Sequence, residues 1–190
     1  MEKLKMRNIY YRDIVAIAGE DTPFVMSILF SSIHGCQRSR EENKLGVVPI
    51  FVSKGLTHVW GVEKNLPNGF RIFAESAEDL DFEVSPRIDD SVKIKRVKTV
   101  SVDENTETLH VKRLRDIDAA YLRRLSKRNP GTNYSDVKKK LSVKKDKFIL
   151  LDKKEKTPIF FGFEVAKDDV KFDVKNSYGF GVVPFVDFFG

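Results

Sequence analysis

The chain has 190 residues, with 34 Lys+Arg against 28 Asp+Glu, a net charge of +6 and a sequence pI near 9.3. Its 41% hydrophobic content and 15 Phe are enough for a packed core and exclude a disordered chain. Its apolar runs fall well short of the ~20 residues a membrane span needs, and one cysteine, Cys36, excludes an intrachain disulfide framework and a multi-Cys zinc site.

In chain order, residues 8–19 (NIYYRDIVAIAG) are rich in β-branched and aromatic side chains and predict a strand. Asp21 or Thr22 then caps a helix with Pro23 at its first position. Phe24, Ile28, Leu29 and Ile33 recur at helical spacing, and Gly35 is expected to end the helix. Residues 46–53, 58–63 and 69–76 predict strands, the first an edge or bulged strand because of Pro49. A short helix is expected over 76–80. Residues 91–100 alternate strictly, with Val92, Ile94, Arg96, Lys98 and Val100 on one face, as one half-exposed strand would. This order fits an N-terminal ferredoxin-like α+β domain over residues 1–104. A smaller C-terminal α/β half, 105–190, carries a helix at 117–129 closed by Asn129, Pro130 and Gly131, then a second short helix over 133–145 and three strands, KFILL, PIFFGFEV and GFGVVPFVDFF.

The charge is not evenly spread. Residues 111–156 hold 16 Lys+Arg and 6 Asp+Glu, a local balance of +10, while the rest of the chain holds 18 and 22, a balance of −4. A solubility surface would not leave the remainder net negative, so nucleic acid is the expected partner rather than a membrane. On the 117–129 helix, Arg124, Lys127 and Arg128 form one ridge at i, i+3, i+4 spacing, with Arg123 extending the arc. Such a ridge tracks a phosphate backbone. Just upstream, Arg113 and Arg115 face one side of an extended segment, as suits reading a base pair at a stem terminus.

Of the three histidines, His34 precedes Gly35 at the expected helix end and is accessible there, as a surface or capping histidine would be. His58 lies in a strand pattern beside Trp60, and His110 precedes the basic segment. The three are widely separated, so no metal site and no cofactor is expected. The glycines of GFGVVP lack the strand–loop–helix context of a phosphate-binding loop. The N-terminal residues MEKLKMRNIYYRD lack the apolar block and cleavage site of a signal peptide, and the expected compartment is the cytoplasm.

Four stretches in order, FVMSILFSSIHGC (24–36), LGVVPIF (45–51), VKRLRDIDAAYLRRLSKRN (111–129) and NSYGFG (176–181), resemble the type I-F CRISPR-RNA-processing endoribonuclease, the subunit that cleaves repeat hairpins. The resemblance spans most of the chain. It implies metal-independent cleavage of a CRISPR repeat hairpin at the 3′ base of its stem by the upstream 2′-hydroxyl. The enzyme would then stay on its product as a subunit of the Cascade complex. His34 matches the catalytic histidine, and Arg113 matches the arginine that reads the lowest base pair. Arg115 stands where the family has glutamine. Arg124, Lys127 and Arg128 match the groove-contacting cations, and Phe160 lies within one residue of a stacking phenylalanine. The family's catalytic serine aligns with Asp152, in a loop whose only hydroxyl is Thr157. An aspartate repels a scissile phosphate unless it orients His34 or the 2′-hydroxyl. Lys153 and Lys154 could stabilise the phosphorane charge, and Tyr178 could orient the 2′-hydroxyl. Three functions are therefore expected as alternatives: this endoribonuclease, a hairpin-binding subunit that cuts slowly or not at all, and an unrelated basic nucleic-acid-binding protein.

Overall fold

In a computed structural model, residues 7–17, 21–40, 45–53, 56–59, 67–114, 123–124, 127–128, 148–151, 158–167, 169–174, 176 and 178–186 are described. The first strand, β1 (Arg7–Ala16), alternates along its two faces, with Ile9, Tyr11, Asp13 and Val15 on one and Tyr10, Arg12, Ile14 and Ala16 on the other. It feeds α1 (Thr22–Arg38). Asp21 is the N-cap, its carboxylate accepting from the Phe24 N–H at 3.3 Å. Pro23 is the second helical residue, where its missing N–H has no intrahelical acceptor to disappoint. Val25, Met26, Ile28, Leu29, Phe30 and Ile33 are buried, whereas Phe24, expected on the apolar face, is exposed.

Gly35 does not end α1, which runs on to Arg38. A Cβ built on Gly35 meets nothing within 4 Å, so the glycine faces open space and costs the helix only ~0.5–1 kcal/mol relative to alanine. The turn that follows offsets this. Buried Gln37 accepts the Leu45 N–H at 3.0 Å through its amide oxygen, and Ser39 donates to the Cys36 carbonyl at 2.7 Å.

The first sheet adds β2 (Gly46–Ser53), β3 (Leu56–Val59), β4 (Gly69–Ala74), β5 (Val92–Ile94) and β6 (Lys98–Val102). The order is β3-β2-β4-β1-β5, with β6 also on β1, and every pairing is antiparallel. The Phe30 and Phe70 rings lie 5.7 Å apart, so α1 covers the face that holds Phe70, Ile72 and Ile14. On the opposite face Arg71 pairs bidentately with Asp13, at 2.7 and 3.0 Å, and its guanidinium lies 4.5 Å over the Tyr11 ring. A 3₁₀ turn at Glu78–Leu80 stands where the short helix was expected, and Arg12 donates to the Leu80 carbonyl at 3.0 Å.

Two expectations about this sheet change. Pro49 lies in β2, which carries β4 along Gly46–Ile50 but β3 only over Ile50–Ser53. The Val47 N–H points away from β4, to the Gly179 carbonyl, so Pro49's missing N–H falls on that same side, just short of the β3 pairing. Residues 91–100 are not one strand. β5 pairs with Ile14–Ala16 and β6 with Arg7–Tyr11, and the register slips by one residue between them. The extra residue is a β-bulge over 95–97, anchored where the Lys95 N–H reaches the Asp13 carbonyl at 2.8 Å. A one-residue slip exchanges the faces. Val92 and Ile94 therefore share a face with Ile14 and Ala16, while Lys98 and Val100 share the other with Tyr11 and Ile9.

The chain crosses to a second sheet through residues 103–107. Asp103 accepts from the Asn105 and Thr106 N–H groups and the Thr106 hydroxyl, and Lys171 donates to the Glu104 and Thr106 carbonyls at 3.1 and 2.7 Å. The second sheet comprises β7 (Thr108–Leu114), β8 (Phe148–Leu151), β9 (Pro158–Ala166), β10 (Asp173–Val174) and β11 (Gly181–Pro184), in the order β10-β11-β7-β9-β8, again antiparallel. The architecture is α+β. One buried cluster includes Ile9, Leu29, Ile33 and Phe70 from the first sheet and its helix together with Leu109, Val111, Phe180 and Val183 from the second. No helix among the described residues is long and apolar enough to cross a membrane.

Candidate active site

Two expected site residues, 144 positions apart in sequence, meet face to face. The His34 and Tyr178 rings have centroids 4.1 Å apart and planes inclined by 4°. His34 lies on α1 one turn before the helix ends, not at its terminus, and is half-buried. Tyr178 lies in the connection from β10 to β11. Its other neighbours are aromatic too: Phe180 at 5.7 Å and 15°, and Phe30 at 6.2 Å and 18°. Phe30 is one helical turn from His34, so both present to the same side of α1.

The connection is built to hold Tyr178 there. Asn176 accepts through its side-chain oxygen from the Tyr178 N–H at 2.9 Å and the Phe180 N–H at 3.4 Å, and its carbonyl accepts from the Gly179 N–H at 3.1 Å. Asparagine favours turns of this kind because its amide bonds the backbone two residues on. Gly179 has φ +80°, in the left-handed region, and a Cβ there would lie 2.3 Å from Val47 Cγ2 and 2.9 Å from the Leu45 carbonyl oxygen. Its carbonyl accepts the Val47 N–H at 3.0 Å. The turn is thereby stitched to the start of β2, beside the helix that carries His34.

The stack has chemical consequences. In a parallel stack the imidazole nitrogens lie on the ring edge, in a plane the tyrosine ring does not occupy. Tyr178 therefore limits tilting of the imidazole without competing for the nitrogens that would carry a proton. Aromatic pairs contribute ~0.5–1.5 kcal/mol beyond their buried area.

Strand directions gather further segments at the same end of the second sheet. β11 starts opposite Val111 of β7, β9 starts opposite the end of β7, and β8 ends opposite the start of β9. The end of β7, the end of β8, the start of β9 and the start of β11 thus share one end. Arg113 stands opposite Phe161 in the backbone register, and Phe160 opposite Leu114 and Ile149. α1 also lies beside β8, the strand that leads into 152–157.

The other expected residues are placed unevenly. Arg123, Arg124, Lys127 and Arg128 are helical and exposed. The rest of 117–129, Arg115, Asp152, Lys153, Lys154, Thr157 and the segment 133–145 lie outside the described residues, as do the side chains of Arg113 and Phe160. Among the described residues no three His, Cys, Asp or Glu side chains gather as metal ligands. Sequence reasoning missed Phe30, Asn176, Phe180 and the Val47–Gly179 contact. Phe30 carried a signal in its i, i+4 spacing to His34, and Asn176 in the Asn-x-x-Gly pattern of a tight turn. The contact with Val47 carried none.

No family model matches the chain, and no curated protein matches it.

Proposed function

We propose that the protein is a metal-independent endoribonuclease that binds a CRISPR repeat hairpin and cleaves at the 3′ base of its stem. The observation that carries this is the His34–Tyr178 stack: a half-buried histidine held ring to ring by a turn from the far end of the chain. Three features support the reading. Setting aside β3, the first sheet follows the order expected of a ferredoxin-like domain: β1 beside β4, β2 outside β4, and the last strands on β1's free side. The exposed cations Arg123, Arg124, Lys127 and Arg128 suit a phosphate backbone. The ends of β7, β8, β9 and β11 that border the segments holding Arg115, Asp152, Lys153, Lys154 and Tyr178 lie at one end of the second sheet.

In the proposed reaction the ribose 2′-oxygen attacks the adjacent phosphorus and gives up its proton. The bond from phosphorus to the 5′-oxygen breaks, and that oxygen takes a proton. The products are a 2′,3′-cyclic phosphate and a 5′-hydroxyl. His34 transfers a proton at a ring nitrogen, and Tyr178 holds the ring and offers its hydroxyl to the 2′-oxygen. Lys153 and Lys154 supply positive charge to the phosphorane. Arg113 and Arg115 read the lowest base pair while the ridge of Arg123, Arg124, Lys127 and Arg128 tracks the stem. The enzyme would retain its product and assemble with the other Cascade subunits.

The test is stem discrimination. The repeat hairpin and a hairpin of the same composition with a scrambled stem are compared for binding and for product ends. Strong preference for the repeat stem, with a cyclic phosphate on the retained fragment, is expected. Equal binding to both stems would mean an unrelated basic nucleic-acid binder. Tight, selective binding with no cut would mean a hairpin-holding subunit without the activity.

A further inference from the structure

A second group of cations lies apart from the segment 111–156, on the outer edge of the first sheet. Residues 93–98 read KIKRVK; Lys93, Arg96 and Lys98 are exposed and Lys95 is half-buried. β5 and β6 together form this edge, since both pair with β1 on the side away from β4. No carboxylate among the described residues lies within ion-pair distance of any of the four cations. By contrast Arg7 pairs with Glu75, Arg40 with Asp79 and Lys112 with Glu164.

The bulge arranges these cations. Lys93 stands opposite Val15 and Lys98 opposite Tyr11, so both project on the face away from α1, while Lys95 and Arg96 occupy the bulge between them. At ~3.3 Å per residue the group spans about 16 Å, a few phosphate spacings of a nucleic-acid strand.

Lysine at a sheet edge ordinarily discourages pairing with another chain. Two observations go beyond that role. The bulge already disrupts the edge, yet four cations without a carboxylate partner among the described residues crowd into six residues of a body that is otherwise net negative. The group is also level along the strands with the candidate active site, although Lys93 and Lys98 project on the opposite face of the first sheet from α1. Lys98, Tyr11, Phe73 and Gly46 form one cross-strand row, and the last abuts Val47, where the Tyr178 turn docks. Three strand spacings separate the ends of that row, about 14 Å at ~4.8 Å each.

We propose that Lys93, Lys95, Arg96 and Lys98 form a phosphate-binding edge for single-stranded RNA flanking the hairpin. The proposal rests on the hairpin-cleaving function proposed above and names the part of the substrate that function leaves unassigned. The edge contributes charge without base readout, so it serves any flank sequence.

The experiment compares wild type with a variant in which Lys93, Lys95, Arg96 and Lys98 are all replaced by Gln, and with one in which the three lysines become Arg. Binding is measured to the bare hairpin, to the hairpin extended by about ten uridines on either side, and to the oligouridine alone, a length within the range one single-strand site covers. The wild type should bind one extended hairpin at least tenfold more tightly than the bare one. The Gln variant should lose that gain, and the Arg variant should keep it. The slope of log affinity against log salt for the extended hairpin should fall by about 2–3 in the Gln variant, at ~0.7 per phosphate for a single strand. No gain from either tail in a wild type that binds the bare hairpin overturns the edge and leaves the hairpin function standing. Oligouridine binding that is lost in the Gln variant, in a protein that ignores the hairpin, supports the edge and overturns the hairpin function. A gain retained in the Gln variant, or an oligoglutamate peptide that binds the edge where oligouridine does not, overturns the proposal.

Discussion

Replacing Gly179 by alanine tests how the turn holds Tyr178 on His34. At φ +80° an alanine pays for the left-handed backbone, ~1–2 kcal/mol. Its Cβ would also sit 2.3 Å from Val47 Cγ2, 2.7 Å from Val47 Cβ and 2.9 Å from the Leu45 carbonyl oxygen. Only the first of these is the end of a side chain, so β2 or the turn must shift, and overpacking of that kind costs ~1–3 kcal/mol. Together the loss is about 2–5 kcal/mol. With a urea m-value of ~2.5 kcal/mol/M, that moves the unfolding midpoint down by about 1–2 M. Asparagine adopts the left-handed backbone more readily, so Gly179→Asn should fall between alanine and wild type, retaining the steric part of the loss. Urea unfolding followed by tryptophan fluorescence measures both variants. A Gly179→Ala midpoint within ~0.2 M of wild type would refute the close approach of this turn to β2. In that case the Val47–Gly179 contact does not position Tyr178.

Tyr178→Phe keeps the ring on His34 and removes the hydroxyl, and should slow single-turnover cleavage about 5-fold, the value of one hydrogen bond near 1 kcal/mol. Tyr178→Ala removes both and should slow it about 30-fold, adding ~1 kcal/mol for the stack; wild-type rates in both variants would exclude the tyrosine from the reaction. Asp13→Ala leaves the Arg71 charge buried without its carboxylate and should destabilise the fold by about 3–5 kcal/mol in urea unfolding, whereas a loss below ~1 kcal/mol would contradict the burial of the pair. Asp103 titrates below the usual carboxylate value of 3.8, chiefly because the Thr106 hydroxyl donates to its ionised form, with help from the Asn105 and Thr106 N–H groups and nearby Lys171. A depressed folded pKa contributes stability that is present above 3.8 and is lost as pH falls through the folded value. Thr106→Val should therefore raise the Asp103 midpoint toward 3.8 in an NMR titration, and an unmoved midpoint would contradict that cause.

Local chemistry made several elements legible. Asp21 and Pro23 announce the start of α1, and alternating β-branched and aromatic residues announce β1, β2 and β4. The sequence points to both His34 and Tyr178 as site candidates, but nothing local says that they stack. That contact depends on where β11 pairs with β7 and on a glycine close to Val47, both long-range facts. The bulge at 95–97 was invisible for a related reason. An alternating pattern is read along one strand, and a register slip exists only between two. Gly35 misled because a glycine after an apolar run usually marks a helix end, while here the helix continues through Cys36 and Gln37, the latter fastened to Leu45. Phe24 misled because helical spacing places it near the apolar face without saying how far the sheet beneath extends.

The proposed function rests on His34 transferring a proton in metal-independent cleavage of a repeat hairpin. Its most direct test is single-turnover cleavage of that hairpin with EDTA present, wild type against His34→Ala, with binding measured in parallel. Wild type should cut once at the 3′ base of the stem, leaving a cyclic phosphate, and His34→Ala should still bind but cut at least 100-fold more slowly, within the range general acid–base catalysis contributes. Cleavage by wild type only when a divalent metal is restored, or equal rates for the two proteins, would contradict it.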